Sequence, residues 1–127
     1  MRPGLAHVLI IEDDFLLALD LQEQMEELGF ASFAFARDEA QAVAAARQQR
    51  PDLILADYRL ASGTGLGAVR AIRAVWGRVP VVYVTGSPDL LVGEADPVVV
   101  KPFARNRLHR ACAAVLLAPY DAVPADQ

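Results

Sequence analysis

Four short apolar runs punctuate this chain, and each ends on a side chain that can do chemistry. His7-Val8-Leu9-Ile10-Ile11 runs into Glu12, Asp13 and Asp14, and Leu53-Ile54-Leu55-Ala56 ends on Asp57. Val79-Pro80-Val81-Val82-Tyr83-Val84 ends on Thr85, and Val98-Val99-Val100 on Lys101. Unbroken runs of this length, rich in Val, Ile and Leu, predict strands buried on both faces, as in a parallel sheet covered by helices. A fifth strand is predicted more weakly at Phe30 to Ala36, where Phe33 and Phe35 alternate with Ser32 and Ala34 ahead of Arg37. Between the runs the period changes to that of a helix. Leu17, Leu21, Met25 and Leu28 share one face, closed by Gly29. Asp38, with Gln41 three residues on, should cap an Ala-rich helix to Gln49, which Pro51-Asp52 breaks. Leu60 to Gly65 reads as a loop, then Val69, Ile72 and Trp76 mark a helix ended by Gly77. Leu108, Cys112, Val115 and Leu116 stripe the last helix, before Pro119. Strands alternating with helices predict one α/β domain, a doubly wound parallel sheet with right-handed crossovers. It should span residues 1–118, with 119–127 a tail or linker stub.

Composition narrows the partners. The chain has 127 residues, 54% of them hydrophobic, and a net charge of −4. That suits one ordered domain and argues against a nucleic-acid footprint, which needs a basic stripe. Arg47, Arg50, Arg70, Arg73, Arg78, Arg105, Arg107 and Arg110 are dispersed, as on solvated faces. Cys112 is the single cysteine, so no internal disulfide and no cysteine metal site can form, and its place on an apolar stripe predicts a core residue. His7 and His109 have no ligand partners at metal-site spacing and read as structural, as does Trp76. No stretch reaches the roughly 18 apolar residues of a membrane span, and a cytoplasmic protein is expected.

The polar ends carry the functional signal. In open α/β sheets ligands bind at the carboxyl edge of the strands. A lone Asp after a strand as readily caps a turn, and Asp14 should cap the next helix. Jointly, however, Glu12, Asp13 and Asp57 would repel one another at one edge, and a hard divalent cation resolves that repulsion. Mg²⁺ takes a few carboxylate oxygens together with waters and a phosphate oxygen. Lys101 supplies a point charge for a phosphoryl oxygen, and Thr85 a hydroxyl donor. Asp57 can then act as a carboxylate nucleophile that forms an aspartyl phosphate.

From Val8 to about Leu117 the chain resembles the receiver domains of two-component response regulators. The resemblance rests on Ile10-Ile11-Glu12-Asp13-Asp14, Pro51 to Asp57, Val84-Thr85-Gly86 and Lys101-Pro102-Phe103. It implies a flavodoxin-like (βα)5 fold with strand order 2-1-3-4-5. It also implies that Asp57 is the phosphoacceptor, that Asp13 binds the metal directly and Glu12 through water, and that the Arg59 backbone carbonyl completes the protein ligands. Thr85 and Lys101 would be the switch hydroxyl and the phosphate-binding lysine. The donor would be a phosphohistidine of a sensor histidine kinase or a histidine phosphotransfer protein, docking over the first helix at Phe15, Leu16 and Leu19. With no helix-turn-helix after the last helix, output through protein contact is expected, in a signalling switch rather than an enzyme.

Two departures from the family stand out. Receivers usually carry Tyr or Phe three residues before the site lysine, and here that residue is Val98. Only sixteen positions separate Thr85 from Lys101, so the fourth helix should be short or replaced by a loop through Pro88, Gly93 and Pro97. In this the chain resembles stand-alone receivers with a Phe-Ala-Thr-Gly-Tyr signature, though it lacks that Phe and Tyr. Signalling is then expected as an order change of the loop from Gly86 to Pro97. Arg59 and Ser87 should border the phosphoryl group, with Arg59 shielding it from water. The alternatives are a degenerate receiver that binds proteins without phosphate, and a haloacid dehalogenase type hydrolase. The latter needs a second acid two positions after the nucleophile, where this chain has Arg59.

Overall fold

The computed structural model describes residues 6–117. Five parallel strands form one sheet in the order β2-β1-β3-β4-β5: β1 His7–Ile11, β2 Ser32–Ala36, β3 Leu53–Ala56, β4 Val81–Thr85 and β5 Val98–Val100. The helices are α1 Phe15–Glu27, α2 Glu39–Gln48, α3 Gly65–Trp76 and α4 Arg105–Leu117. The expected tail at 119–127 lies outside the described residues. Among those described, no helix is long and apolar enough to cross a membrane.

The unbroken apolar runs are explained by two cores. Val8 and Ile10 of β1, with Leu53 and Leu55 of β3, face a cluster built with α1 and α4 through Leu21, Met25, Leu108 and Cys112. Leu9, Ile11, Ile54 and Ala56 point the other way, onto Ala42, Ala46, Val69 and Ile72 of α2 and α3. Both faces of the central strands are therefore dry, and each fully buried Leu, Ile or Val contributes about 1.5–3 kcal/mol. β2 does not follow its alternating pattern: Phe33 packs on the first core, and Ala34 and Ala36 on the second. It is an edge strand, and Phe35 stays 45% exposed.

The helix starts follow the predicted caps. The Asp14 carboxylate accepts from Leu16 N and Leu17 N, and that of Asp38 from Gln41 N, while Gln41 Oε1 accepts from Arg37 N. Gly77 takes φ +76°, a left-handed stop that only glycine adopts freely. Trp76 ties α3 to α2 by donating its indole N–H to Ala46 O at 2.7 Å. β4 starts two residues later than its apolar run, because Pro80 has no N–H to give the ladder, although its carbonyl accepts from Ile54 N.

The fourth crossover contains a single 3₁₀ turn, Pro88–Leu91, in place of an α-helix, as the spacing predicts. Leu91 pins it to the second core. Its far end is held by charge. Arg73 of α3 makes a two-pronged bond to Asp96 (2.8 and 2.8 Å) and also donates to Val79 O, while Arg70 pairs with Glu94. Arg73 is thus a structural tie and not the solvated residue expected of it. The histidines are structural: His7 is buried with Nδ1 2.7 Å from Ser32 Oγ, and His109 lies 3.5 Å from Glu27.

Candidate functional site

Register alone brings the polar strand ends together. Ile11 pairs with Ala56, so Glu12 and Asp57 leave the sheet side by side, and Asp57 N donates to Ile11 O at 3.0 Å. Thr85 pairs with Val100, which sets Lys101 beside it, Lys101 N donating to Thr85 O at 2.9 Å. Across this edge Lys101 Nζ reaches Asp57 Oδ2 at 2.8 Å and Glu12 Oε1 at 3.0 Å. One carboxylate oxygen from each of Glu12, Asp13 and Asp57 lies within 4.8 Å of the others. Five of the residues singled out from sequence (Glu12, Asp13, Asp57, Thr85 and Lys101) therefore meet at one edge. Asp14 is instead spent on capping α1.

Glu12 is buried and Asp57 nearly so, whereas Asp13 is half-buried. Burial pushes the Glu12 carboxyl above its ordinary pKa, more than the Asp14 N–H and Lys101 hold it down. Burial alone would lower Lys101, but its hydrogen bonds to Asp57 and Glu12 raise it on balance. Three carboxylates thus face one lysine. The set remains short of positive charge, and its all-oxygen, mixed-exposure donors suit Mg²⁺ with part of its water shell kept.

The rim is joined to this centre. Thr85 Oγ1 accepts from Ser87 N at 3.0 Å, and Arg59 Nε donates to Ser87 Oγ at 3.2 Å, so the two predicted bordering residues touch each other. Below them the loop is closed by an Arg59 to Thr64 bridge, and Glu39 Oε1 accepts from Thr64 N. Gly65 was hidden in a stretch read only as loop. A Cβ there would stand 1.8 Å from the Asp57 carbonyl oxygen, so α3 can start this close to the site only with glycine. Thr64 as an N-cap three residues before Gly67, whose N–H it accepts, was the sequence signal available. Beside the site a groove of about 480 Å³ is lined by Asp14, Leu17, Asp20, Gln24 and Lys101 to Phe103. Phe15, Leu16 and Leu19 stand exposed on the same helix.

Residues 8–113 match the model of the response regulator receiver domain. The phyllosphere-induced regulator PhyR of Methylorubrum extorquens is 42% identical over 102 residues, which cover 76% of this chain and 38% of that protein. The chain thus spans well under half the length of this curated relative. The solution structure of the PhyR receiver domain of Erythrobacter litoralis superposes with a TM-score of 0.80 at 32% identity, covering 90% of this chain and 94% of that one. The receiver domain of a sensor histidine kinase of Pseudomonas aeruginosa, solved with magnesium coordinated in its active-site cleft, gives 0.77 at 30% identity over 89% and 98% of the two chains. In sequence, strand order and the content of its carboxyl edge, this chain belongs to the family of response regulator receiver domains.

Proposed function

We propose that Asp57 accepts a phosphoryl group from a phosphohistidine of a kinase or phosphotransfer protein, and that the resulting change in surface is passed on by protein contact. The observation that carries this reading is the Lys101 ammonium shared between Asp57 and Glu12, with Asp13 closing the acidic triangle. An Asp57 oxygen attacks phosphorus and an acyl phosphate P–O bond forms. The P–N bond breaks, and the imidazole leaves to take a proton from solvent. Lys101 then neutralises an equatorial oxygen, as phosphoryl transfer requires of its surroundings. Glu12, Asp13, Asp57 and the Arg59 carbonyl are the residues that would hold Mg²⁺. Bound there, the ion neutralises charge on the transferring group. Thr85, which now accepts from Ser87 N, would turn its hydroxyl to the phosphoryl oxygen.

The test is the intact mass after incubation with acetyl phosphate and Mg²⁺, beside Asp57→Asn and a chelated control. A gain of one phosphoryl group in the wild type alone supports the reading. No gain in folded protein would favour the other reading, a phosphate-independent binding module, for which Val98 in place of an aromatic residue already speaks.

A further inference from the structure

Tyr83 has the largest fully buried side chain in the described structure, and its hydroxyl has no hydrogen-bond partner. A buried, unpaired hydroxyl is destabilising, and phenylalanine would fill the same space without it. Burial also drives the phenol well above its ordinary pKa, so it stays protonated and can serve as a donor. Among the described residues the group therefore lacks an acceptor in this state of the protein.

Its position says where an acceptor could come from. Tyr83 lies directly opposite Val98 across the β4–β5 ladder and two residues before Thr85, hence on the same face of β4. Its ring packs in the cluster that holds Leu91 of the fourth crossover and Val98. The charges felt by the phenol are Asp96, Arg73, Glu94 and Arg70, the groups that tie the crossover to α3. The other end of the crossover is tied to the site through Ser87, whose N–H is accepted by Thr85 Oγ1 and whose Oγ is held by Arg59. Arg59 lies two residues after Asp57, and Thr85 ends β4, the strand beside the one that leads into Asp57.

We propose that Tyr83 is the switch aromatic of this receiver, carried on β4 because β5 presents only Val98. In the phosphorylated protein Thr85 Oγ1 leaves Ser87 N, the crossover shifts, and the Asp96 carboxylate accepts from the Tyr83 hydroxyl. A carboxylate has lone pairs to spare beyond those used by Arg73. This inference rests on Asp57 being the phosphoacceptor.

Wild type and Tyr83→Phe are each incubated with acetyl phosphate and Mg²⁺, their phosphorylated fraction is read by intact mass, and both forms are melted. The expected result is equal mass gain and an unphosphorylated Tyr83→Phe that melts about 4 °C above wild type. The further rise that phosphorylation produces in wild type should be at least halved in the variant. Amide shifts of residues 88–96 on phosphorylation should shrink with it. Equal phosphorylation-induced increments in the two proteins overturn the proposal, as does a variant that melts below wild type. Absence of mass gain from both defeats the phosphoacceptor reading itself and this inference with it. A tyrosine that only packed would move the basal melting point and leave the increments alike.

Discussion

Lys101→Met isolates the electrostatics of the site, because methionine keeps most of the apolar stem and removes only the charge. In the folded protein Nζ lies 2.8 and 3.0 Å from two carboxylates whose side chains are 11% and 1% exposed. At an effective dielectric of about 20, each contact is worth roughly 6 kcal/mol before desolvation is subtracted. Removing one partner of a buried pair leaves a net loss of about 3–5 kcal/mol. The lower end applies, since Asp13 opens one side of the site to water and Glu12 can take up a proton. A loss of about 3 kcal/mol lowers the melting temperature of a domain this size by about 10 °C. Mg²⁺ should restore more of that loss in the variant than it adds to wild type, because the same carboxylates then depend on it alone. The variant should also gain stability on acidification. A buried carboxyl raised above its ordinary pKa contributes stability that is present at low pH and lost as pH rises through the raised value. Thermal melts with and without Mg²⁺ decide the matter. A drop under about 3 °C, or an equal response to Mg²⁺ in both proteins, would refute the charge accounting.

Three further outcomes are expected. Gly65→Ala forces a Cβ against the Asp57 carbonyl and should cost about 2–3 kcal/mol in urea unfolding, with slower phosphorylation by acetyl phosphate; wild-type stability would show that α3 yields freely. The His7 imidazole is lowered below its ordinary pKa, chiefly by burial and against the pull of Asp52. Its contribution is therefore complete above about pH 6.5 and declines below it, and His7→Gln should flatten that part of the stability profile. Arg59→Ala should shorten the lifetime of the acyl phosphate severalfold by opening the Arg59–Ser87 rim to water, as followed by the decay of the added mass; an unchanged lifetime would remove Arg59 from the shield.

Much of this was legible because the signals were local. Continuous apolar runs mark strands that are dry on both sides, and in a parallel sheet their polar ends must come together whatever the loops do. Glu12, Asp57, Thr85 and Lys101 could be placed at one edge for that reason alone. The missing fourth helix was a matter of counting residues. Pairings between distant side chains had no such signal. Nothing in the pattern of α3 sets Arg73 apart from Arg70, and only the folded chain shows that one of them clasps Asp96 with two bonds. Tyr83 read as one more apolar strand residue, since an orphaned hydroxyl is visible only when every neighbour is known. Gly65 was lost among other loop residues because its role is to leave room for the backbone of Asp57, just past the end of β3.

The two borders of the sheet differ in how readily they could be extended by another chain. β2 offers five residues, exposed Phe35 among them, whereas β5 offers three, preceded by Pro97 and followed after Lys101 by Pro102. Proline brings no amide hydrogen to a ladder, and a stub of three residues cannot seat a foreign strand. The shortened crossover that leads into β5 therefore sits next to a border closed to strand addition. Self-association on that side would have to go through side chains, and the risk of runaway β-pairing rests with the opposite border of the molecule.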